Sequence, residues 1–418
     1  MDMKQDKAIL VGLDLVDSTT NITSSLAELE KLAEALNIVT VEKVIQKANK
    51  ISPKYYIGSG KVLEIKHLIE VLDANIVIFD DPLSPSQILN LEKTLDAQII
   101  DRSFLILSIF SERAKSKQSV LEVSLAQKQY MLPRLVGLGL TLSRQGGGTY
   151  NAKGPGETKL EMDRRRLLND ITRLKKELKK VSKEQAISRK QRLDNKIPIV
   201  ALVGYTNVGK SALMNSLSKY LNDETDSFVF EENMLFATLD TKTKKLKKPN
   251  KPAFLLTDTV GFVEKLPHEL IKSFESTLSD VLYADLLIHV VDGAYYDPNQ
   301  IDTTKQVLKR IGADQIERIM VLTKKDLATS IPFIEDDFIF VSNKTLENID
   351  QLVNAIYGHI YKENKLVSLF IPYTEGSEYH YLKENTTILK TLYKDDGYLL
   401  RVSLIPNDYN RFKKYIVE

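Results

Sequence analysis

Between residues 7 and 101, short apolar runs alternate with amphipathic stretches. AILVGLDL, IVTVEKVI, NIVIFD and AQIID read as strands, while Ser24–Leu36, Lys61–Leu72 and Pro85–Leu95 read as helices. Strands alternating with helices predict a parallel α/β sheet. From Ser103 to Leu135 the pattern is helical and continuous. Gly137, Gly139, Gly146, Gly147, Gly148, Gly154, Pro155 and Gly156 then punctuate the chain and predict a long flexible loop. Beyond it, Leu167, Ile171, Leu174, Leu178 and Val181 alternate steps of four and three, which draws one apolar seam along a helix. The other faces carry Arg164, Arg165, Arg166, Arg173, Lys175, Lys176, Lys179, Lys180 and Lys183. One seam needs one partner, and the helix ending near Leu135 supplies it, giving an antiparallel hairpin with a glycine-rich tip over about 136–156.

A second α/β pattern covers 197–364, and the apolar runs VSLFIPY and YLLRVSLI predict a small α+β unit over 365–418. The expected fold class is multidomain α/β. Its parts are an N-terminal parallel α/β domain over 1–102, a long helical hairpin over 103–196, a P-loop domain over 197–364 and the C-terminal α+β domain.

Composition changes this picture little. Of 418 residues, 43% are apolar and 27% charged, the balance of an ordinary globular protein, and the net charge of +2 does not point to one class of partner. The absence of cysteine excludes disulfides, thiolate metal sites and cysteine nucleophiles. MDMKQDKAILVGLDL lacks a basic stretch leading into a long apolar core, so no signal peptide is expected. The most apolar runs, such as Asp285–Val291, are too short to span a bilayer. The expectation is a cytoplasmic protein without a membrane span, acting as a monomer.

The candidate chemistry begins at Gly204-Tyr205-Thr206-Asn207-Val208-Gly209-Lys210-Ser211, preceded by IPIVALV and followed by ALMNSLSKYL. Strand, GxxxxGKS loop and helix together place backbone N–H groups and a helix N-terminus around phosphates. Gly204, Asn207, Val208, Gly209, Lys210, Ser211 and Ala212 are the expected phosphate contacts. Lys210 would face the β- and γ-phosphates, and Ser211 would offer its hydroxyl to Mg²⁺. A second strand, AFLLTD, ends in Asp258-Thr259-Val260-Gly261. Asp258 there can hold the Mg²⁺ shell through water, and Gly261 allows its amide to approach the γ-phosphate. Arg318–Leu322 leads into Thr323-Lys324-Lys325-Asp326, which resembles the guanine-reading [NT]KxD element. Asp326 would accept from guanine N1–H and the 2-amino group, a donor pair that adenine lacks. Lys324 would pack along the ring. Thr323 stands where many such elements carry asparagine. In DFIFVSNKT, Ser342, Asn343 and Lys344 take the place of a base-supporting SAK loop, with Asn343 departing from alanine.

With these residues in hand, the chain resembles the HflX family of ribosome-associated GTPases. The resemblance includes YYIGSGKVLEI, FDDPLSPSQILNLEK, DRSFLILSIFSERAKS, LSRQGGG with TYNAKGPGETKLEMDRRR, FATLD, and DTVGFVEKLPHELIKSFESTL. It reaches from about Tyr55 to Val281, and the tail beyond Leu366 fits more loosely. It implies GTP and GDP as ligands and binding to the large (50S) ribosomal subunit and its rRNA through the hairpin and N-terminal domain. It also implies ribosome splitting or rescue under stress, with the hairpin tip reaching towards the peptidyl-transferase region. It makes Thr238 the switch I threonine over Mg²⁺ and the γ-phosphate, with Thr241 and Thr243 as neighbouring competitors.

Several features keep two readings. The tip residues Arg144, Gln145 and Lys153 and the basic helix can neutralise RNA phosphates or simply solvate an exposed hairpin. Lysines 242, 244, 245, 247 and 248 form a solvated strand face or a phosphate contact. Phe262 occupies the position where a glutamine commonly orients the attacking water, so turnover is expected to be slow until a partner completes the site. Glu264 and His268 follow in the same segment, and switch II surface is the simpler reading of both. Asn207 could hold a K⁺ ion against transition-state charge or brace its loop. The competing function is an rRNA-binding scaffold whose nucleotide site is structural. An added ATPase in the N-terminal domain lacks a complete GxxxxGK[ST], since Gly58–Gly60 and Gly146–Gly148 have no strand–helix context.

Overall fold

β1 (Lys7–Leu15) is buried over most of its length, as a central parallel strand covered on both faces must be. The computed structural model describes residues 5–16, 21–145, 155–194, 197–221, 241–249, 251–265, 280–328, 330 and 337–417. Contacts divide the chain into two compact units. The first lies within Met1–Ile187, Asn233–Asp240 and Val263–Thr277, the second within Ser188–Glu232, Thr241–Phe262 and Leu278–Glu418.

In the first unit, β1 is followed by α1 (Ile22–Glu34), β2 (Val39–Ala48), α2 (Ser59–Leu72) and β3 (Ile76–Phe79). After these come α3 (Pro85–Leu95), β4 (Gln98–Asp101) and α4 (Arg102–Arg113). The strands pair in parallel in the order β2-β1-β3-β4. Ile9, Val11, Val77 and Phe79 on one face meet Val62, Ile65, Leu91 and Leu95 of α2 and α3 in one core. Local chemistry sets the helix ends: Ser84 and Gln87 form a capping box at α3, with Pro85 just inside.

At the C-terminal end of β3 lies a buried charge network. Arg102, fully buried, donates through Nε (3.1 Å) and Nη2 (2.5 Å) to Asp80, through Nη1 to Glu28 (2.6 Å) and through Nη2 to the Ser25 carbonyl (2.8 Å). Lys265, in the left-handed region at φ 55°, pairs with Asp80 and with Asp81 at 2.6 Å. Burial alone would raise the Asp80 carboxyl. Arg102 and Lys265 more than offset it, so Asp80 titrates below the ordinary carboxylate value.

The continuous helix expected from Ser103 to Leu135 is two helices, α4 and α5 (Lys117–Gln145). Ala114 is extended, and the Ser116 hydroxyl accepts from the Ser119 amide at 3.1 Å, a side-chain cap that restarts the helix. A second difference concerns the tip. Gly137 and Gly139 do not end α5, which runs on through Pro133 to Gln145, and α6 (Pro155–Asp194) begins at Pro155. A helical glycine costs only about 1 kcal/mol relative to alanine, too little to stop a long helix. Residues 146–154, which include the central tip glycines and Lys153, lie outside the described residues, as do the side chains of Arg144 and Gln145. The seam Leu167, Ile171, Leu174, Leu178 and Val181 packs with Leu121, Leu125 and Leu132 of α5, and Lys128 bonds Asp170 across the pair at 2.8 Å.

In the second unit, β5 (Ile199–Gly204), α7 (Lys210–Leu221), β6 (Lys242–Leu246), β7 (Phe254–Asp258) and β8 (Leu286–Asp292) come first. Next come α8 (Pro298–Ile311), β9 (Arg318–Thr323), β10 (Phe338–Phe340) and α9 (Ile349–Ile360). The six strands are ordered β10-β9-β8-β5-β7-β6, all parallel except β6 against β7. The C-terminal ends of β5, β7, β8 and β9 therefore lie along one edge, where ligands of open α/β sheets bind. The lysine-rich β6 is the end strand, and its Lys242 and Lys245 are exposed.

The tail folds as β11 (Lys365–Pro372), α10 (Gly376–Asn385), β12 (Thr387–Lys394), β13 (Gly397–Leu404), α11 (Pro406–Arg411) and β14 (Ile416–Val417). Its antiparallel sheet has the order β12-β13-β11-β14, with Leu369, Ile371, Leu382, Leu400, Val402 and Phe412 in the core. Among the described residues no helix is long and apolar enough to cross a membrane.

Candidate functional site

The phosphate loop starts where β5 ends. Gly204 has φ 149°, and a Cβ there would lie 2.2 Å from the Val290 carbonyl oxygen of β8, so no side chain fits. Asn207 (φ 60°) and Gly209 (φ 91°) turn the loop so that α7 opens at Lys210. Val208 is buried, and Ala212 sits in the first turn of α7. The Lys210 ammonium is held over the loop, donating to the carbonyls of Gly204 (3.1 Å) and Tyr205 (2.5 Å). Burial pushes Lys210 down to about 8, with Asp258 opposing the shift.

That value has a measurable consequence. A bound polyphosphate favours the ammonium, so nucleotide binding takes up a proton wherever the free site has lost it. Affinity should be level below pH 8 and fall above it, by about tenfold between pH 7 and 9. A nucleoside diphosphate titration across that range checks this, and a flat profile would show that the free site keeps its ammonium through pH 9.

Beside the loop, the Ser211 hydroxyl donates to Asp258 Oδ2 at 2.7 Å, and Asp258 is fully buried at the end of β7. A hydroxyl and a carboxylate are hard oxygen donors that fit Mg²⁺, which takes few protein ligands beside phosphate and water. Among the described residues no group of three or more His, Asp or Glu side chains offers an alternative metal cage. A Cβ on Gly261 would lie 2.8 Å from Thr206 Cγ2 and 2.9 Å from Lys210 Nζ, so only a glycine lets this backbone come so close to the loop. Phe262 is buried, and its backbone bridges the phosphate loop: its amide donates to Gly204 O (3.1 Å) and its carbonyl accepts from the Thr206 amide (2.8 Å). Its ring is packing material. Thr238 and His268 lie outside the described residues. Thr241 donates to Asp280 (3.0 Å) and Thr243 shares a hydrogen bond with Thr257 (3.1 Å), so both competitors are engaged elsewhere.

The base-reading loops attach to the other side of the phosphate loop. Three successive carbonyls receive three side-chain donors: Lys324 Nζ to Asn207 O (3.1 Å), Thr323 Oγ1 to Val208 O (2.6 Å) and Asn343 Nδ2 to Gly209 O (3.3 Å). Ser342 donates to Asp326 Oδ1 at 2.7 Å and so fixes the carboxylate expected to read guanine. Lys344 is exposed, and among the described contacts it does not join this group.

Sequence reasoning missed Asp292, which ends β8 and pairs with Lys324 at 2.7 Å while accepting from the amides of Ala294 and Tyr295. The only signal was an aspartate followed by glycine at a strand end. Gly293 is required there, because a Cβ would meet Phe340 at 2.5 Å.

Three family descriptions match in sequence along the chain: a GTP-binding GTPase N-terminal region over residues 23–111, a GTP-binding GTPase middle region over 113–192, and a 50S ribosome-binding GTPase over 199–324. A protein of Caldanaerobacter subterraneus subsp. tengcongensis named GTPase HflX is 41% identical over 99% of this chain and 94% of its own length. The Escherichia coli protein of that name is 34% identical over 93% of this chain and 92% of its own. A solved GTP-binding protein from Sulfolobus solfataricus in complex with GDP aligns over 85% of this chain and 99% of its own, with 23% identity and a TM-score of 0.42.

Proposed function

Because the chain belongs to the HflX family of GTPases, and so binds and hydrolyses GTP, we propose that it is a nucleotide switch acting on the large ribosomal subunit. The observation that carries this reading is that Lys210 and the Ser211–Asp258 pair meet at one loop, to which Thr323, Lys324 and Asn343 tie the segments bearing Asp326 and its brace Ser342. They offer one group each for phosphate, metal and base. The amides from Val208 to Ala212 hold the phosphates, with Gly204 and Asn207 shaping the turn. Ser211, Thr238 and Asp258 would hold Mg²⁺, Asp258 through water. When bound, the ion supplies positive charge against the phosphate oxygens. Lys210 places an ammonium against charge developing on the leaving side, in a buried site where that charge is weakly screened. Gly261 and Thr238 sense the γ-phosphate, and hydrolysis releases them.

No side chain in this set orients the water, since Phe262 is buried in packing. Turnover is therefore slow alone and rises when the 50S subunit completes the site. The functional division is 1–102 and 103–196 for rRNA contact, 197–364 for nucleotide and 365–418 as an appendage. Exposed Lys175, Lys176, Lys179 and Lys180 on α6 suit phosphate contacts. Ribosome splitting or rescue under stress, by a cytoplasmic monomer, is the role this supports. A K⁺ ion at Asn207 belongs to the same proposal, and equal turnover in K⁺ and Na⁺ would remove it.

The test is GTP turnover by purified protein with and without 50S subunits. We expect stimulation of at least about a hundredfold, the lower end of what completing a transition-state contact gives. Subunit-independent turnover would leave the nucleotide site standing and favour an rRNA-binding scaffold.

A further inference from the structure

The two departures at the base-reading loops, Thr323 and Asn343, meet at one point. A Cβ placed on Gly209 would lie 3.3 Å from Asn343 Nδ2 and 3.6 Å from Thr323 Oγ1, so the amide and the hydroxyl sit side by side against the same glycine. Donor counting explains why both are needed. A threonine hydroxyl has one proton, an asparagine amide two. The Thr323 proton is committed to Val208 O at 2.6 Å. Gly209 O accepts the helical bond from the Leu213 amide (2.8 Å), and its remaining lone pair is reached by Asn343 Nδ2.

We propose that Asn343 is a positioning residue that supplies the N–H donor Thr323 lacks, tying the base-reading loop to the phosphate loop so that base and phosphates are held as one unit. The inference rests on the guanine-nucleotide reading of this site and adds a residue and a pairing to it. Asn343 is well placed for the task. Its carbonyl accepts from Ser216 Oγ of α7 at 3.0 Å, and its neighbour Ser342 holds Asp326, so one short segment touches helix, loop and base reader. The amide also carries a cost: Asn343 Oδ1 is buried without a hydrogen-bond partner in the structure. Alanine would remove that cost. A side chain present only for packing would therefore be better replaced, whereas one present for its N–H would not.

The pairing is tested by Asn343→Ala, Thr323→Asn and the double variant, following release of a fluorescent GDP and the melting temperature of nucleotide-free protein. Asn343→Ala is expected to release GDP about tenfold faster, within the usual range of coupling between sites, with an unchanged or higher melting temperature. Thr323→Asn in that background restores the second donor and should bring release back to within about twofold of the parent. An unaltered release rate in Asn343→Ala, or no recovery in the double variant, overturns the pairing. So does a melting temperature that falls with the faster release, which would make Asn343 a residue of the fold. A parent protein that fails to bind GDP would instead sink the site reading itself.

Discussion

Replacing Asp326 with asparagine is expected to lower affinity for GDP by about a thousandfold or more while creating affinity for xanthosine diphosphate. The carboxylate offers two acceptors to the N1–H and 2-amino donors of guanine. An amide offers one acceptor and one donor, so the 2-amino group is left facing an N–H. Xanthine carries an oxygen at that position and matches the amide. Ser342 donates to Asp326 Oδ1 at 2.7 Å and can donate equally to an amide oxygen, so the loop should keep its place and the fold its stability. Equilibrium binding of both diphosphates to parent and variant checks this. Undiminished GDP preference would take base reading away from Asp326, whatever the phosphate loop does.

The second large effect lies in the first unit. Arg102→Leu removes the cation that meets Asp80 and Glu28 in a fully buried position. Leaving buried carboxylates without it should cost about 3–5 kcal/mol, the range for breaking one side of a buried pair. Denaturant unfolding of the full chain would read this as an earlier transition. Arg102→Leu combined with Asp80→Asn removes a charge from each side and should recover part of the loss. Because Asp80 titrates below the ordinary carboxylate range, its contribution is present above that range and lost as pH falls through its depressed value. Parent and single variant should therefore converge in stability in acid, and a gap independent of pH would show that lost packing, not lost charge, is the cause.

Motifs were legible where a function constrains a short contiguous stretch. GxxxxGKS shows itself because glycines at 204 and 209 are the residues that its positive φ angles allow. DxxG shows itself because Gly261 has no room for a Cβ. The hairpin seam was legible for a similar reason, since a repeat of threes and fours is a local statement about one helix face, and it named its own partner. Helix ends were harder. The break at Ala114–Ser116 depends on one serine side chain, and the persistence of α5 through Gly137 and Gly139 depends on a penalty too small to act as a stop.

The sequence by itself determined that this chain carries a GxxxxGKS loop, a DxxG element and a TKKD element in the order a GTPase needs, because each is written within a few neighbouring residues. Tertiary structure alone decided how those pieces become one site. Lys324 finds Asp292 across 32 residues, Ser211 finds Asp258 across 47, and Asn343 reaches Gly209 across 134. No periodicity records such pairings. The parallel sheet creates them by bringing the C-terminal ends of β5, β7, β8 and β9 to one edge, where side chains distant in the chain become hydrogen-bond neighbours.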